Sequence, residues 1–295
     1  MVAVGVENMI CCWQGLLELL PLWLREPMDA GGRDKQVLEL RLRLGQMPQA
    51  VTGRGEWYPA CRRIGAEDLN YVVNVASRYS PYAAVTLAKG YLTARGGHRV
   101  GVCGSGVIQA GRITGFKELH SLCIRVARDI PGFAAGLEQD LGTGSVLLIG
   151  PPGSGKTTLL RDLIRRISQV RREQISVVDE RGELFPVSGS CFAFPTGDRT
   201  DVLTGAGKRE GMELVLRSMG PAWIAVDEIT ALEDCEAMEA CGNCGVRFLA
   251  TAHARDSGEL SRRPVYRKLM NSGLFGRLVC LGEDRTFTME RLEKV

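Results

Sequence analysis

Residues 38–44 alternate strictly, Leu-Glu-Leu-Arg-Leu-Arg-Leu. That period of two places four leucines on one face of a strand and Glu39, Arg41 and Arg43 on the other. From Glu67 to about Arg78, Leu69, Val72, Val73 and Ala76 recur at helical spacing, with acidic residues at the first turn. Tyr91 to Phe116 is a series of short β-prone pieces broken by glycine, which predicts a meander of hairpins. Leu122 to Arg128 alternates again and reads as the last strand of a first domain. The apolar stretch from Met9 to Leu24 carries Gln14, Glu18 and Pro21, and so predicts an amphipathic helix stopped near Pro21 rather than a targeting segment.

The second half has a different texture. Val146–Ile149, Ile175–Val178, Trp223–Val226 and Val246–His253 are short, mainly apolar runs separated by helical patterns. Strands buried on both faces have that appearance, so an α/β fold with a parallel sheet is expected. After the first run, Leu159, Leu160, Leu163, Ile164 and Ile167 fall on one helical face; Met212, Val215, Leu216 and Met219 mark a later helix, and a third spans about Ala231–Cys244. Phe194 to Gly211 is rich in turn residues and aperiodic, and is expected to be a loop. A short helix from Pro264, a strand Leu278–Leu281 and a β piece around Thr286–Met289 close the chain. The expected organisation is an N-terminal domain over 1–130, a linker over 131–144 where Pro131-Gly132 breaks the chain, and a second domain over 145–295.

Between the first apolar run and its helix stands Gly150-x-x-x-x-Gly155-Lys156-Thr157, a P-loop pattern in the required strand, loop and helix order. Gly153 and Gly155 let backbone N–H groups wrap a phosphate chain, and the helix N-terminus faces the anion. The loop Gly150, Pro151, Pro152, Gly153, Ser154, Gly155, Lys156, Thr157 and Thr158 is therefore the expected ATP site. Lys156 would reach the β- and γ-phosphates, and Thr157 would ligate Mg²⁺. Trp223–Val226 ends in Asp227-Glu228, the pattern of a Walker B strand. Asp227 would hold Mg²⁺ through water, and Glu228 would polarise the attacking water. Asp179 and Glu180 end the second apolar run, and His253, one of three histidines, ends another; strand ends of this kind face ligands in open α/β sheets.

Composition adds limits. The net charge of +3, 24% charged residues and 6% aromatics show no basic run with stacking residues, so nucleic acid is not an expected partner. The ten cysteines are scattered, consistent with reduced thiols in a cytosolic compartment. The Cys241–Cys244 pair lies in a helical pattern without a second pair, so zinc is not expected.

The chain resembles the stage III sporulation protein AA family of endospore-forming bacteria, related to the ATPases of type II and type IV secretion and pilus assembly. The resemblance is carried by LELRLRLGQ (38–46), YLTARGGHRVGVCG (91–104), SLCIRVAR (121–128) and GPPGSGKTTLLRDLIR (150–165). It continues through VVDERGE (177–183), RTDVL (199–203), LRSMGPAWIAVDEIT (216–230) and ATAHA (250–254). It implies a RecA-like P-loop ATPase domain behind a smaller α/β (α+β) domain. It also implies a ring, expected to be hexameric, in the mother-cell cytoplasm, docked on membrane-embedded channel proteins and without a membrane span of its own. By the same resemblance Glu180 falls in an acidic box, His253 in a histidine box, and Arg199 where a cation could reach phosphate. Arg99, Arg125, Arg199 and Arg209 all remain candidates for an arginine finger supplied by a neighbouring subunit. A RecA-like nucleic-acid motor and a nucleotide-gated scaffold with little turnover are the alternative readings.

Overall fold

The computed structural model describes residues 9–32, 36–78, 87–188 and 190–292. The chain forms two compact units. One contains Cys11–Arg128 with Pro186–Ala193; the other contains Asp129–Phe185 with the chain from Phe194 onward.

In the N-terminal unit, helices α1 (Trp13–Leu19), α2 (Leu22–Gly32) and α3 (Ala66–Ala76) accompany a six-stranded sheet. Its strands are β1 (Val37–Arg43), β2 (Gln49–Thr52), β3 (Gly55–Trp57), β4 (Tyr91–Thr93), β5 (Arg99–Gln109) and β6 (Arg112–Arg125). They are ordered β3-β2-β1-β6-β5-β4, and all pairs are antiparallel. Pro21 separates α1 from α2, as a residue without a backbone N–H does between helices. Leu69, Val72, Val73 and Ala76 of α3 are buried as their spacing requires, and Asp68 accepts the Gly65 N–H at 2.9 Å at the helix start.

Two expectations are corrected here. The four leucines of 38–44 do not share the core: Leu40 and Leu42 are buried, while Leu38 and Leu44 are 37% and 46% exposed. A register shift between Val37 and Glu39 against β2 resets the alternation, so Val37 takes the inward place of Leu38. The meander of hairpins is present, β4, β5 and β6 each antiparallel to the next, but Leu122–Arg125 is the end of the long β6, which pairs with β5 from Arg99↔Arg125 out to Gln109↔Arg112, rather than a separate strand.

The C-terminal unit is built on a seven-stranded sheet. Its elements in chain order are β7 (Ser145–Gly150), α4 (Lys156–Arg166), β8 (Ile175–Asp179), β9 (Thr200–Thr204), α5 (Lys208–Met219), β10 (Trp223–Val226), α6 (Leu232–Asn243), β11 (Arg247–His253), α7 (Ser257–Arg262), α8 (Pro264–Asn271), β12 (Phe275–Leu281) and β13 (Phe287–Arg291). The order across the sheet is β9-β8-β10-β11-β7-β12-β13, parallel throughout except for β13. Alternate residues of β7 supply two cores: Val146 and Leu148 pack with α4, and Leu147 and Ile149 with α5, α6 and α8. Both faces are covered, which is why these strands read as mainly apolar runs without alternation.

The segment expected as a linker is part of this unit. Phe133, Ala134, Leu137 and Leu141 are buried in the core beside α4, and both Asp162 carboxylate oxygens accept backbone N–H groups, from Gly132 (3.1 Å) and Ala134 (2.7 Å). The stretch expected as a loop over 194–211 contains β9 and the first turn of α5. β9 is an edge strand paired on one side only, so its half-exposed residues show no clear period. In α5, Met212 and Val215 are buried, whereas Met219 is 45% exposed at the helix end.

Candidate functional site

The carboxyl ends of β7, β8, β10 and β11 converge on one edge of the parallel sheet, the edge at which ligands bind in folds of this type. Gly150 ends β7, and the chain turns through Gly153 (φ +79°) and Gly155 (φ +101°) into α4. Those left-handed angles suit glycine and aim the first amides of α4 into the turn. The Lys156 side chain is buried and folded into this turn, where its Nζ donates to the carbonyls of Gly150 and Pro151, each at 2.8 Å. Burial lowers the Lys156 pKa from its usual range, against the pull of Asp227 and Glu228. The Ser154 hydroxyl is buried with no protein partner among the described residues.

Beside the loop lies a chain of hydrogen bonds. Thr157 Oγ1 donates to Asp227 Oδ2 at 2.9 Å, and Thr251 Oγ1 donates to Asp227 Oδ1 at 2.6 Å. The Thr251 hydroxyl in turn accepts the Glu228 N–H at 2.7 Å, and the Thr251 carbonyl accepts the Ile229 N–H at 2.9 Å. This double grip accompanies the sharp exit from β10, where Glu228 adopts a left-handed φ of +54°. The Glu228 carboxylate is gripped as well: Arg181 reaches Oε2 at 2.5 Å and His253 Nε2 lies 3.2 Å from Oε1.

Comparison with known proteins places this arrangement. Residues 14–289 match the sequence family described as "Sporulation stage III, protein AA". The chain belongs to that family. It is 36% identical over 261 residues to stage III sporulation protein AA of Bacillus subtilis (strain 168), covering 85% of this chain and 84% of that one. Two solved structures share the fold at 16% identity. They are the ATPase DotB of Legionella pneumophila (TM-score 0.57, 88% of this chain and 76% of that one) and the pilus retraction motor PilT with bound ADP (TM-score 0.60, 86% and 76%). The chain accordingly shares its fold with DotB and PilT.

Within this family fold the remaining expected residues separate into two groups. Glu180 is at the same edge as the loop, paired with the buried Lys208 at 2.7 Å. His253 is there too, against Glu228. Asp179 is at this edge but turned inward: its carboxylate accepts the N–H groups of Glu183, Leu184 and Phe185 at 2.9–3.0 Å, and burial raises its pKa. It therefore pins the turn that carries Glu180 and Arg181.

Arg199 is not brought to the loop. The register Ile175↔Thr200 sets it just before β9 at the amino edge of the sheet, where its N–H donates to Ser168 Oγ at 2.7 Å. The five residues of β9 separate it from the site edge by roughly 16 Å at the rise of a strand, so within its own chain Arg199 cannot meet a phosphate there. A hollow of about 900 Å³, lined by residues such as Gly144, Phe275 and Arg277, lies at the amino edge, away from this chemistry.

Arg181 and Thr251 were not expected from the sequence. Arg181 lies between acids and reads as their ordinary counter-ion; Thr251 lies within an apolar run. Their adjacency depends on β8, β10 and β11 being neighbours in space, and only the positions of Asp227 and His253 at strand ends hinted at it.

The donor set fits a hard divalent cation: a threonine hydroxyl and a carboxylate, both oxygen ligands, 2.9 Å apart at a helix N-terminus. Among the described residues no cluster of three or more His, Cys, Asp or Glu side chains is arranged to hold a metal alone. Mg²⁺ commonly takes one or two side chains, the number of oxygen ligands that Thr157 and Asp227 offer, and completes its shell with water and phosphate.

Proposed function

We propose that this chain is a Mg²⁺-dependent ATPase that works in a ring, expected to be hexameric, and energises or gates a channel between mother cell and forespore during sporulation. The carrying observation is the continuous array Thr157, Asp227, Thr251 and Glu228 at the mouth of the glycine-rich loop. A phosphate-binding loop alone binds nucleotide; a loop with a metal-ligand pair and a carboxylate one residue further is equipped to hydrolyse it. Family membership supports the sporulation setting. Among the described residues no helix is long and apolar enough to cross a membrane, so attachment would run through membrane-embedded partner proteins on the mother-cell cytoplasmic side.

In this reading the amides of Gly153–Thr158 cradle the phosphates, and Lys156 exchanges its two carbonyl partners for phosphate oxygens. Thr157 and Asp227 would hold Mg²⁺, which would neutralise charge on the phosphates. Glu228 takes a proton from water as that water's oxygen bonds to the γ-phosphorus; the bond to the bridging oxygen breaks, and the electron pair leaves with ADP. His253, Glu180 and Lys208 are placed to orient this edge. A cation from a neighbouring subunit would complete the site. Arg125, 65% exposed at the side chain, and Arg99, stacked over Tyr91 at 4.3 Å, lie opposite each other on the sheet face away from the N-terminal core, and Arg209 is exposed near the start of α5.

The test is ATP turnover per subunit as a function of protein concentration, with native mass read in parallel. Turnover should rise as rings assemble. Glu228→Gln should keep nucleotide affinity and lose about 10²–10⁴ in rate, the usual worth of a positioned base, while Lys156→Ala should lose binding. A second reading, a nucleotide-gated scaffold, is favoured by one observation: both oxygens of Glu228 are engaged, by Arg181 and His253. Assembled rings without Glu228-dependent turnover would establish it.

A further inference from the structure

Glu228 can act as a base only if one of its oxygens is released. Arg181 holds Oε2 and His253 faces Oε1, while the cavity lined by Asp179, Glu180, Arg181, Lys208, Asp227 and Glu228 encloses only about 20 Å³, room for about one water. The backbone of Glu228 is not free to move aside, because Thr251 fixes its N–H. Of the two partners of Glu228, Arg181 is the one that carries a permanent charge for a phosphate to attract. It projects from a turn closed by the Gly182 N–H to the Asp179 carbonyl at 3.2 Å and pinned by the Asp179 carboxylate, and its side chain, 35% exposed, reaches across the mouth of the site. A guanidinium so placed has a better acceptor than a carboxylate once a doubly charged terminal phosphate arrives beside Glu228, since its fork matches phosphate bidentately.

We propose that Arg181 is a positioning residue through which the site reads a terminal phosphate: at rest it holds Glu228 inactive, and it exchanges Glu228 for the γ-phosphate when a nucleoside triphosphate binds. A diphosphate, which lacks that group, leaves the Arg181–Glu228 pair intact. Binding of a triphosphate and release of the base thereby become one event, and a subunit holding ADP stays locked. This inference rests on the ATPase reading above and adds to it a cation supplied within the same chain, three residues before the Leu184–Phe185 segment that leads out of this unit.

The experiment is a double-mutant cycle on binding, with the full chain and Mg²⁺. The affinities of fluorescent ADP and of a non-hydrolysable ATP analogue are measured for wild type, Arg181→Gln, Glu228→Gln and the double variant. Removing the Glu228 charge relieves repulsion of phosphate in either background, so the comparison between backgrounds is decisive. If Arg181 exchanges partners, Glu228→Gln frees it in advance, and the analogue tightens about tenfold more when Arg181 is present than when it is Gln. ADP affinity should then differ little between the backgrounds. If Arg181 is a fixed counter-ion, the order reverses, because an unneutralised Glu228 repels phosphate most in Arg181→Gln; that result, or equal tightening, overturns the proposal. Both side chains are about a third exposed, and unchanged melting of each variant confirms that the fold survives. If the wild type binds neither nucleotide, or if Lys156→Ala binds both as well as the wild type, the ATPase reading itself fails, an outcome distinct from a cycle of the wrong sign.

Discussion

Thr251 has one hydroxyl and uses it twice, as donor to Asp227 and acceptor from the Glu228 N–H, while 1% exposed. Valine has the same shape and neither capacity, so Thr251→Val leaves a buried amide and a carboxylate oxygen short of partners, at a cost of about 1–3 kcal/mol. Turnover should fall roughly 10- to 100-fold, as for other outer partners of a metal-site ligand, with ADP affinity nearly unchanged. Thr251→Ser restores both bonds and should recover most of the rate; a serine variant as slow as the valine one would show that packing, not hydrogen bonding, is what the position supplies. At this scale the sequence displayed the residues that end strands, Asp227, Glu228 and His253, because charge at the end of an apolar run is visible in one dimension. Thr251 was hidden because a threonine inside a strand ordinarily satisfies β-propensity alone, and Arg181 because its partner is 47 positions away.

The Gly96-Gly97-His98 turn between β4 and β5 shows what an element can demand of a residue. Gly97 has φ +81°, and a Cβ there would lie 2.4 Å from Pro186 Cγ, within the same unit. Gly97→Ala therefore adds backbone strain to a ring clash, and should lower the stability of the N-terminal unit by about 1–3 kcal/mol. Gly53→Ala, with ordinary φ and nothing within 4 Å, is the matched control and should change it little. Chemical denaturation of the two variants makes the comparison; equal midpoints would mean that the turn relaxes freely. The sequence marked this turn as distinctive without revealing its purpose, since Pro186 is 89 positions downstream. The same limit governs elements generally. Buried central strands and α4 were legible because both faces or one full stripe are apolar, whereas the edge strand β9 and the bulge in β1 were not, since pairing on one side and a one-residue slip leave no periodic trace.

At the scale of the whole molecule, the two units are not successive halves of the chain: it enters the N-terminal unit a second time at Pro186 and leaves after Ala193. Eight residues with two short apolar pairs, Pro186-Val187 and Cys191-Phe192, are too few to announce a domain crossing, so a single boundary near residue 130 was the simplest reading of the sequence. The units should nevertheless differ in their response to acid. His98 is fully buried in the N-terminal unit, with Nδ1 accepting the Ala127 N–H at 3.2 Å and Nε2 against the Cys12 carbonyl at 2.9 Å. Nδ1 as acceptor and Nε2–H as donor is the neutral tautomer, and burial lowers the pKa below 6.5. In the unfolded chain the same imidazole titrates near 6.5. Between the folded and unfolded values only the unfolded chain binds the proton, so stability is complete above about pH 6.5 and is lost as the pH falls below it, by up to about 1.4 kcal/mol per pH unit. Scanning calorimetry from pH 7.5 to 5.5 should show the transition of the N-terminal unit moving down while that of the C-terminal unit moves less. His98→Gln, though less stable throughout, removes the titrating group and should flatten that dependence. A dependence that survives the substitution would place the acid-sensitive group elsewhere in the unit.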